Sequence, residues 1–347
     1  MFKIFRRIIE KPNMAIDLGT ANTRIHACEE ERMTEEPSLV RNIRQSGENS
    51  DAYIAYLNSK LCSFPLRGGV ITDINSAVRL LTPLFKKVSR GLRHPVLLAC
   101  APTDTSEKER KVLAEVILRS GASHVAIIPE PWAAAIGADL DVAQPYAQVL
   151  VDIGEGVTDM AVIREGRLIY TCAMRTACAE IHKAIRRTVV SRHKIYLYPA
   201  EIERLLRETD AGIPLCNVSQ KRIRAKGMHI AKRREESVEV SQTDVLGAME
   251  PVISAILKMI RGNLCRLPEH IGAEITESGI CLTGGGSCIK GLNSRIAAET
   301  GLHVKIGQDP VYAVIKGASR TVRYWKDYDC WWNHIEWPSL CAPSNVS

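Results

Sequence analysis

The sequence predicts an α/β protein made of two similarly built domains facing each other across a cleft. Two observations lead there: a strand–turn–strand unit that occurs twice, and a glycine-rich junction between a strand and a helix. The first copy of the unit is MAIDLGTANTRIHAC, Met14 to Cys28. An apolar run ends in Asp17, turns through Gly19, Thr20, Ala21 and Asn22, and continues through Ile25 and Ala27. The second copy is VLVDIGEGVTDMAVI, Val149 to Ile163. Asp152, Gly154 and Thr158 match Asp17, Gly19 and Thr23 at a constant offset of 135 residues. A turn of glycine and small residues lets an anion approach the backbone N–H groups. Two such units far apart imply two related domains, with room for a triphosphate between the turns. Two carboxylates brought together repel unless a cation lies between them, and a magnesium ion bound to phosphates would serve. The competing reading is two ordinary hairpins that resemble each other by chance.

Composition sets the outer bounds. At 347 residues the chain is long enough for two domains with their own cores. No run approaches the ~20 apolar residues of a membrane span, and no signal peptide appears. The eleven cysteines form no C-x-x-C pair or zinc-spaced cluster, and several, such as Cys100, Cys172 and Cys281, sit in apolar stretches. That pattern points to reduced thiols in a cytoplasmic protein. The net charge is +7, with basic residues gathered near the N-terminus, in Arg186–Lys194 and in Lys221–Arg234. Aromatics do not interleave the last stretch, so nucleic acid is not an expected partner.

In chain order, MFKIFRRIIEK places Met1, Phe2, Ile4, Phe5, Ile8 and Ile9 on one side of a helix and Lys3, Arg6, Arg7, Glu10 and Lys11 on the other. Pro12 ends it. Two readings fit: a helix lying on an anionic membrane, and a terminal helix docked on its own domain. Residues 29–60 are polar and show little periodicity. A turn at Gly68–Gly69, a short strand and an N-cap candidate at Asp73 precede a helix over Ser76–Ser89. Strands are expected at Pro95–Ala101 and His124–Ile128, with a helix over Glu107–Ser120 between them. In PEPWAAAIGADL, Pro129 to Leu140, Pro131 suits a helical first turn, and Ala133–Ala135 with Gly137 allow close packing. Glu130 stands at the strand-to-helix junction, as a cleft residue or as a charge complementing the helix dipole.

Beyond the second unit, a turn at Glu165–Gly166 leads into a strand over Arg167–Ala173. Helices are expected at Glu180–Ser191, Ala200–Thr209 and Gln242–Leu264, with residues 211–241 irregular and basic. The glycine-rich junction is SGICLTGGGSCIKGLNSRIAAETG, Ser278 to Gly301: a strand, Gly284–Gly285–Gly286, then a helix stopping at Gly301. Three glycines there let a ribose-phosphate or a flat ligand approach the backbone. A final helix follows over Val311–Arg323, and the C-terminal stretch holds Trp325, Trp331, Trp332 and Trp337. That tail is either folded on the body or presented to a partner or membrane interface.

The three turns in this order resemble the actin, sugar-kinase and heat-shock-chaperone ATPase superfamily. Within it the chain is most similar to the MreB family, bacterial actins that determine rod shape. The matching segments are IDLGTANT (Ile16–Thr23), PLRGGVITD (Pro65–Asp73), EPWAAAIG (Glu130–Gly137), VDIGEGVTDMAV (Val151–Val162) and LTGGG (Leu282–Gly286), with ETG at Glu299–Gly301 and DP at Asp309–Pro310. The resemblance implies an actin-like ATPase fold, two related α/β domains around a central nucleotide cleft. Residues 13–148, joined by 311–347, would form one domain and 149–310 the other, behind a membrane-binding helix over 1–12. It implies that Thr20, Ala21 and Asn22 and the turn Gly154, Glu155, Gly156 and Val157 hold ATP phosphates. Asp17 and Asp152 would flank Mg2+. Glu201 and Arg204, with Gly284, Gly285, Gly286 and Ser287, would form the nucleoside site, and Glu130 would orient the attacking water.

The chain also departs from the family. The family's DIGGGTT turn has Glu155 and Val157 in place of a glycine and a threonine, although actins carry an acid and a valine there. Valine has no hydroxyl to position water, and Glu155 adds negative charge beside a triphosphate. Ala177–Cys178–Ala179 replaces a GGD whose small residues leave room, and the stretch between Tyr53 and Phe64 is shorter than the family's. Three readings stay open. One is an ATP-dependent filament protein, self-polymerising on the inner face of the membrane and organising cell-wall synthesis with shape proteins. A second is a nucleotide-weak partner of another MreB. The third is a small-molecule kinase of the superfamily, for which no substrate base is visible.

Overall fold

The computed structural model describes residues 11–41, 62–90, 92, 94–213 and 221–325. The N-terminal segment with Phe2, Ile4, Phe5, Ile8 and Ile9, the shortened stretch before Phe64, and Trp331, Trp332 and Trp337 lie outside them. The first half contains β1 (Met14–Leu18), β2 (Asn22–Ala27), β3 (Arg32–Pro37), β4 (Val40–Arg41), β5 (Cys62–Ser63), β6 (Leu66–Arg67), β7 (Val70–Ile71), α1 (Ile74–Val88), β8 (Val96–Ala101), α2 (Glu107–Arg119), β9 (His124–Pro129) and α3 (Glu130–Gly137). The second contains β10 (Gln148–Ile153), β11 (Thr158–Arg164), β12 (Arg167–Met174), α4 (Cys178–His193), β13 (Ile195–Leu197), α5 (Pro199–Glu208), β14 (Arg222–His229), β15 (Glu235–Ser241), α6 (Gln242–Leu264), α7 (Glu269–Ser278), β16 (Ile280–Thr283), α8 (Leu292–Thr300), β17 (Val304–Ile306) and α9 (Ala313–Arg323).

The repeat seen in the sequence is a repeat of topology. One sheet runs β3-β2-β1-β8-β9 and the other β12-β11-β10-β16-β17. In each, the first strand pairs antiparallel with the strand after its turn and parallel with the strand on its other side. The central strands β1 and β8 are buried along their whole length, and apart from Asp17 near the end of β1 both are apolar, because both faces are covered. Asp73 caps α1 by accepting the Ser76 amide at 3.0 Å, and Ser106 with Glu109 forms a capping box at the start of α2.

The two halves exchange helices. α3 follows β9 of the first sheet, yet its Trp132, Ala134 and Ile136 pack with Leu150, Ala161 and Ile163 of the second. α9 follows β17 of the second sheet, yet its Ile315, Ala318 and Val322 pack with Ala15, Leu98 and Cys100 of the first. The two helices touch through backbone. A Cβ on Gly137 would lie 1.8 Å from the Ala313 carbonyl oxygen, and one on Gly317 would lie 1.7 Å from that of Ala133. Glycine is required at both crossings because any side chain would overlap the opposite main chain.

Several elements differ from the sequence expectation. Residues 222–241 are not irregular but form the β14–β15 hairpin, which joins β13 in a three-stranded sheet. Its inward residues are Ile223, Ala225, Val238 and Val240, which alternate with charged neighbours. Within 29–60, Arg32–Pro37 forms the edge strand β3, in which only Thr34 is buried, so no apolar alternation marks it. The glycine-rich junction leads first into a 3-10 turn, Gly285–Cys288, and α8 begins only at Leu292. The final helix is likewise preceded by a 3-10 turn at Pro310–Tyr312. Strands β13 and β17 and helix α7 were not expected.

Candidate functional site

The two repeated turns close in the same way. The Gly19 amide donates to the Asn22 carbonyl at 3.1 Å, and the Gly154 amide donates to the Val157 carbonyl at 2.9 Å. The first turn is braced by Ser38, whose hydroxyl donates to the Gly19 carbonyl at 2.6 Å and whose amide donates to that of Ala21 at 2.8 Å. The second is braced by the start of α4. The Cys178 and Ala179 amides donate to the Gly154 and Glu155 carbonyls at 3.2 and 2.8 Å. The Ala177–Ala179 segment therefore anchors the turn, and of its three residues only Cys178 lines the cleft. The loops approach until a Cβ on Gly156 would sit 2.4 Å from the Thr20 hydroxyl. That hydroxyl accepts the Gly69 amide at 3.0 Å, so the β6–β7 turn closes over both loops.

Between them lies a cleft of about 450 Å³, a size typical of small-molecule sites. It brings together Asp17, Thr20, Ala21, Asn22, Glu130, Asp152, Gly154, Glu155, Gly156, Val157, Gly284 and Gly285. Four residues expected at the site are placed elsewhere. Gly286 and Ser287 lie behind the wall, Ser287 being 1% exposed and donating its hydroxyl to the Gly284 carbonyl at 2.7 Å. Glu201 and Arg204 pair with each other at 2.6 Å and turn toward β14: Glu201 accepts the Lys226 amide at 3.1 Å, and Arg204 donates to the Arg224 carbonyl. The reason is helical phase. With Ile202, Leu205 and Leu206 facing inward, α5 presents Glu203 and Arg207 to the cleft instead. These two form an i,i+4 pair, a signal that was present in the sequence. Sequence reasoning also missed Arg24, His182 and Cys288, which line the same cleft.

The floor is crowded with carboxyl groups. Thr283 donates its hydroxyl to Asp152 at 2.6 Å. Asp159 takes the Thr103 amide at 2.8 Å and its hydroxyl at 2.6 Å, tying the second sheet to the loop after β8. Burial pushes Asp152 up to about 6, against the Thr283 hydrogen bond and with Asp17 adding to the rise. Burial likewise carries Asp159 to about 8 despite both bonds from Thr103. Burial raises Asp17 even though Arg24 pulls it down. Glu130 is raised well above the usual carboxylate range, first by burial and then by Asp17, Asp152 and Asp159. Such a group of acids takes up protons or a cation. Near the opening, Glu155 lies 3.2 Å from His182 Nδ1, so a histidine stands beside the acid of the altered turn. Val157, at 6% exposure, is packed at the meeting of the loops.

Two sheets of identical strand order, exchanged helices and paired hairpin turns around one cleft define an actin-like ATPase fold. A model of the MreB/Mbl protein family matches residues 11–329, and the chain belongs to that family. The cell shape-determining protein MreB of Escherichia coli strain K12 is 29% identical over 337 residues, covering 93% of this chain and 96% of that one. The cell shape-determining protein Mbl of Bacillus subtilis is 28% identical over 314 residues, 88% of this chain and 94% of its own. The structure of MreB5 of Spiroplasma citri bound to ADP superposes with a TM-score of 0.79 at 24% identity, covering 92% of this chain and 98% of that chain. A MamK double helical filament gives 0.73 at 18% identity, covering 89% and 98%. Among the described residues no helix is long and apolar enough to cross a membrane.

Proposed function

We propose that the chain binds ATP in this cleft and polymerises into filaments that help determine cell shape. The observation that carries the reading is the pair of hairpin turns closing on each other over buried Asp17 and Asp152 and half-buried Glu130. In this reading residues 13–148 with 311–347, and residues 149–310, are the two domains that nucleotide draws together. Among the described hydrogen bonds the Thr20 and Ala21 amides have no partner, which suits them to phosphate oxygens. Gly284 and Gly285 on one side, and Glu203 and Arg207 on the other, would frame the nucleoside.

The donor set fits a hard cation. The crowded carboxyls ask for positive charge, and no three acidic, histidine or cysteine side chains among the described residues are grouped to hold a metal unaided. Magnesium is commonly held by one or two carboxylates with phosphate and water making up the rest. Asp152 and Glu130 are the residues that would hold it, and bound there it would supply charge for the triphosphate. Glu130 would then be ionised and placed to orient a water. Closing of the two halves would favour head-to-tail contacts between copies. The N-terminal amphipathic segment would keep the filaments on the inner membrane face, where they would organise cell-wall synthesis.

The test is a titration of the full chain with Mg-ATP, followed by sedimentation with and without anionic vesicles. Saturable binding and nucleotide-dependent pelleting are expected. A second reading, a nucleotide-weak partner of another MreB, is favoured by Glu155 and Val157 in the second turn. It would show as no nucleotide-dependent pelleting together with tight co-sedimentation with that MreB.

A further inference from the structure

Arg24 is a cation built into the floor of the cleft. It stands on β2 directly across from Asp17 on β1 and from Glu35 on β3. Its Nη1 donates to Asp17 Oδ2 at 3.1 Å and its Nη2 to Glu35 Oε1 at 2.9 Å. The Tyr312 ring lies 4.7 Å from the guanidinium, and the Tyr312 hydroxyl donates to the other Glu35 oxygen at 3.0 Å. Arg24 is only 7% exposed, yet it lines the cleft. Its buried Nε has no hydrogen-bond partner among the described residues. At the 135-residue offset of the repeat the other hairpin has Asp159, an acid bound to Thr103. Among the described residues the two sides of the floor are therefore unequal: Asp17 has a guanidinium, and Asp152 has the Thr283 hydroxyl.

We propose that Arg24 occupies the cation position at Asp17, so that the metal ion accompanying the nucleotide is carried by the Asp152 side of the cleft. This rests on the nucleotide-binding reading above. A buried carboxylate already paired with a guanidinium gains little from a second cation. Separating the pair would leave an uncompensated buried charge. A divalent ion placed beside the fixed guanidinium is also repelled by it. Arg24 thus offsets, without metal, the Asp17 charge that would repel the phosphates, and nucleotide binding becomes less dependent on Mg2+. The alternative is that Arg24 is only a cross-strand tie, which affects stability but leaves metal dependence unaltered.

Two measurements on the full chain decide this. Mn2+ binding, followed by electron paramagnetic resonance in the presence of ATP, is compared among wild type, Asp17→Asn and Asp152→Asn. Asp17→Asn is expected to stay within about threefold of wild type, and Asp152→Asn to lose about tenfold or more. A fluorescent ATP analogue is then titrated with excess Mg2+ and with EDTA. Wild type should weaken by less than about tenfold in EDTA, Arg24→Leu should weaken about tenfold further, and Arg24→Lys should stay close to wild type. Equal Mn2+ losses in the two aspartate variants overturn the proposal, whether or not Arg24→Leu folds. So does an Arg24→Leu variant that is less stable but keeps the wild-type response to EDTA. Binding that depends equally on both aspartates defeats this proposal alone. Absence of analogue binding under every condition defeats the nucleotide reading with it.

Discussion

At the scale of single residues, Asp159 joins the two halves through a carboxyl that burial holds near a pKa of about 8. An unfolded aspartate titrates near ~4. Between those values the folded chain keeps a proton that the unfolded chain has released. Its stabilising contribution is therefore complete below ~4 and is lost as the pH rises toward 8. Asp152, Asp17 and Glu130 are all shifted the same way. Without nucleotide, the thermal midpoint should fall between pH 5 and pH 8. Asp159→Asn should flatten that slope, because an amide can accept the Thr103 N–H and donate to the Thr103 hydroxyl without titrating; an unchanged slope in calorimetry would place the dependence elsewhere. Glu130→Gln removes a titrating carboxyl from the same cluster. It should leave the nucleotide-free midpoint at pH 7.5 equal or higher while lowering phosphate release by about tenfold or more. Asp17, Asp152 and Glu130 were legible in the sequence because each ends or follows an apolar strand, where side chains project into a cleft. Arg24 was not, because a charged residue in the outgoing strand of a hairpin gives no sign of which face it takes.

At the scale of elements, the α3–α9 crossing leaves no room for a side chain at Gly137 or Gly317. Gly137→Ala places a methyl against the Ala313 carbonyl and should cost about 3 kcal/mol or more by denaturant titration. Gly247→Ala, on the exposed face of α6 with nothing within 4 Å of the added carbon, should instead gain about 0.5–1 kcal/mol. A Gly137→Ala variant as stable as wild type would show that the helices separate freely. Small residues in EPWAAAIG announced close packing, but not the partner, because α9 begins at Ala313, 176 residues after α3 ends at Gly137, and shares no local pattern with it. The β14–β15 hairpin was missed for a different reason. Its alternation is carried by Ile223, Ala225, Val238 and Val240 among arginines, lysines and glutamates, and the charge obscured the period of two. On α5 the helix was expected, but its cleft face was set by which residues the core drew inward.

At the scale of the whole molecule, nucleotide binding and membrane attachment each have a direct readout. A ligand bound only to the folded chain stabilises it by about 2.7 kcal/mol at a hundred times its dissociation constant. Mg-ATP should therefore raise the thermal midpoint by several degrees, and no shift at millimolar Mg-ATP would contradict binding in the cleft. Replacing both Phe2 and Phe5 with alanine should release the protein from anionic vesicles in flotation, leaving the nucleotide-dependent shift intact. Retained flotation would remove the N-terminal segment from the membrane contact.

The sequence by itself determined the two repeated turns, the strand pair flanking each and the family, because each is written in contiguous residues with a fixed spacing. Tertiary structure alone decided which charges meet in the cleft. Asp17 finds Arg24 across a strand pair, Asp159 finds Thr103 across the two halves, and α5 offers Glu203 and Arg207 where Glu201 and Arg204 were expected. Those pairings depend on sheet register, helix phase and burial. All three are set by how apolar surface is covered throughout the chain, and none is visible in a local motif.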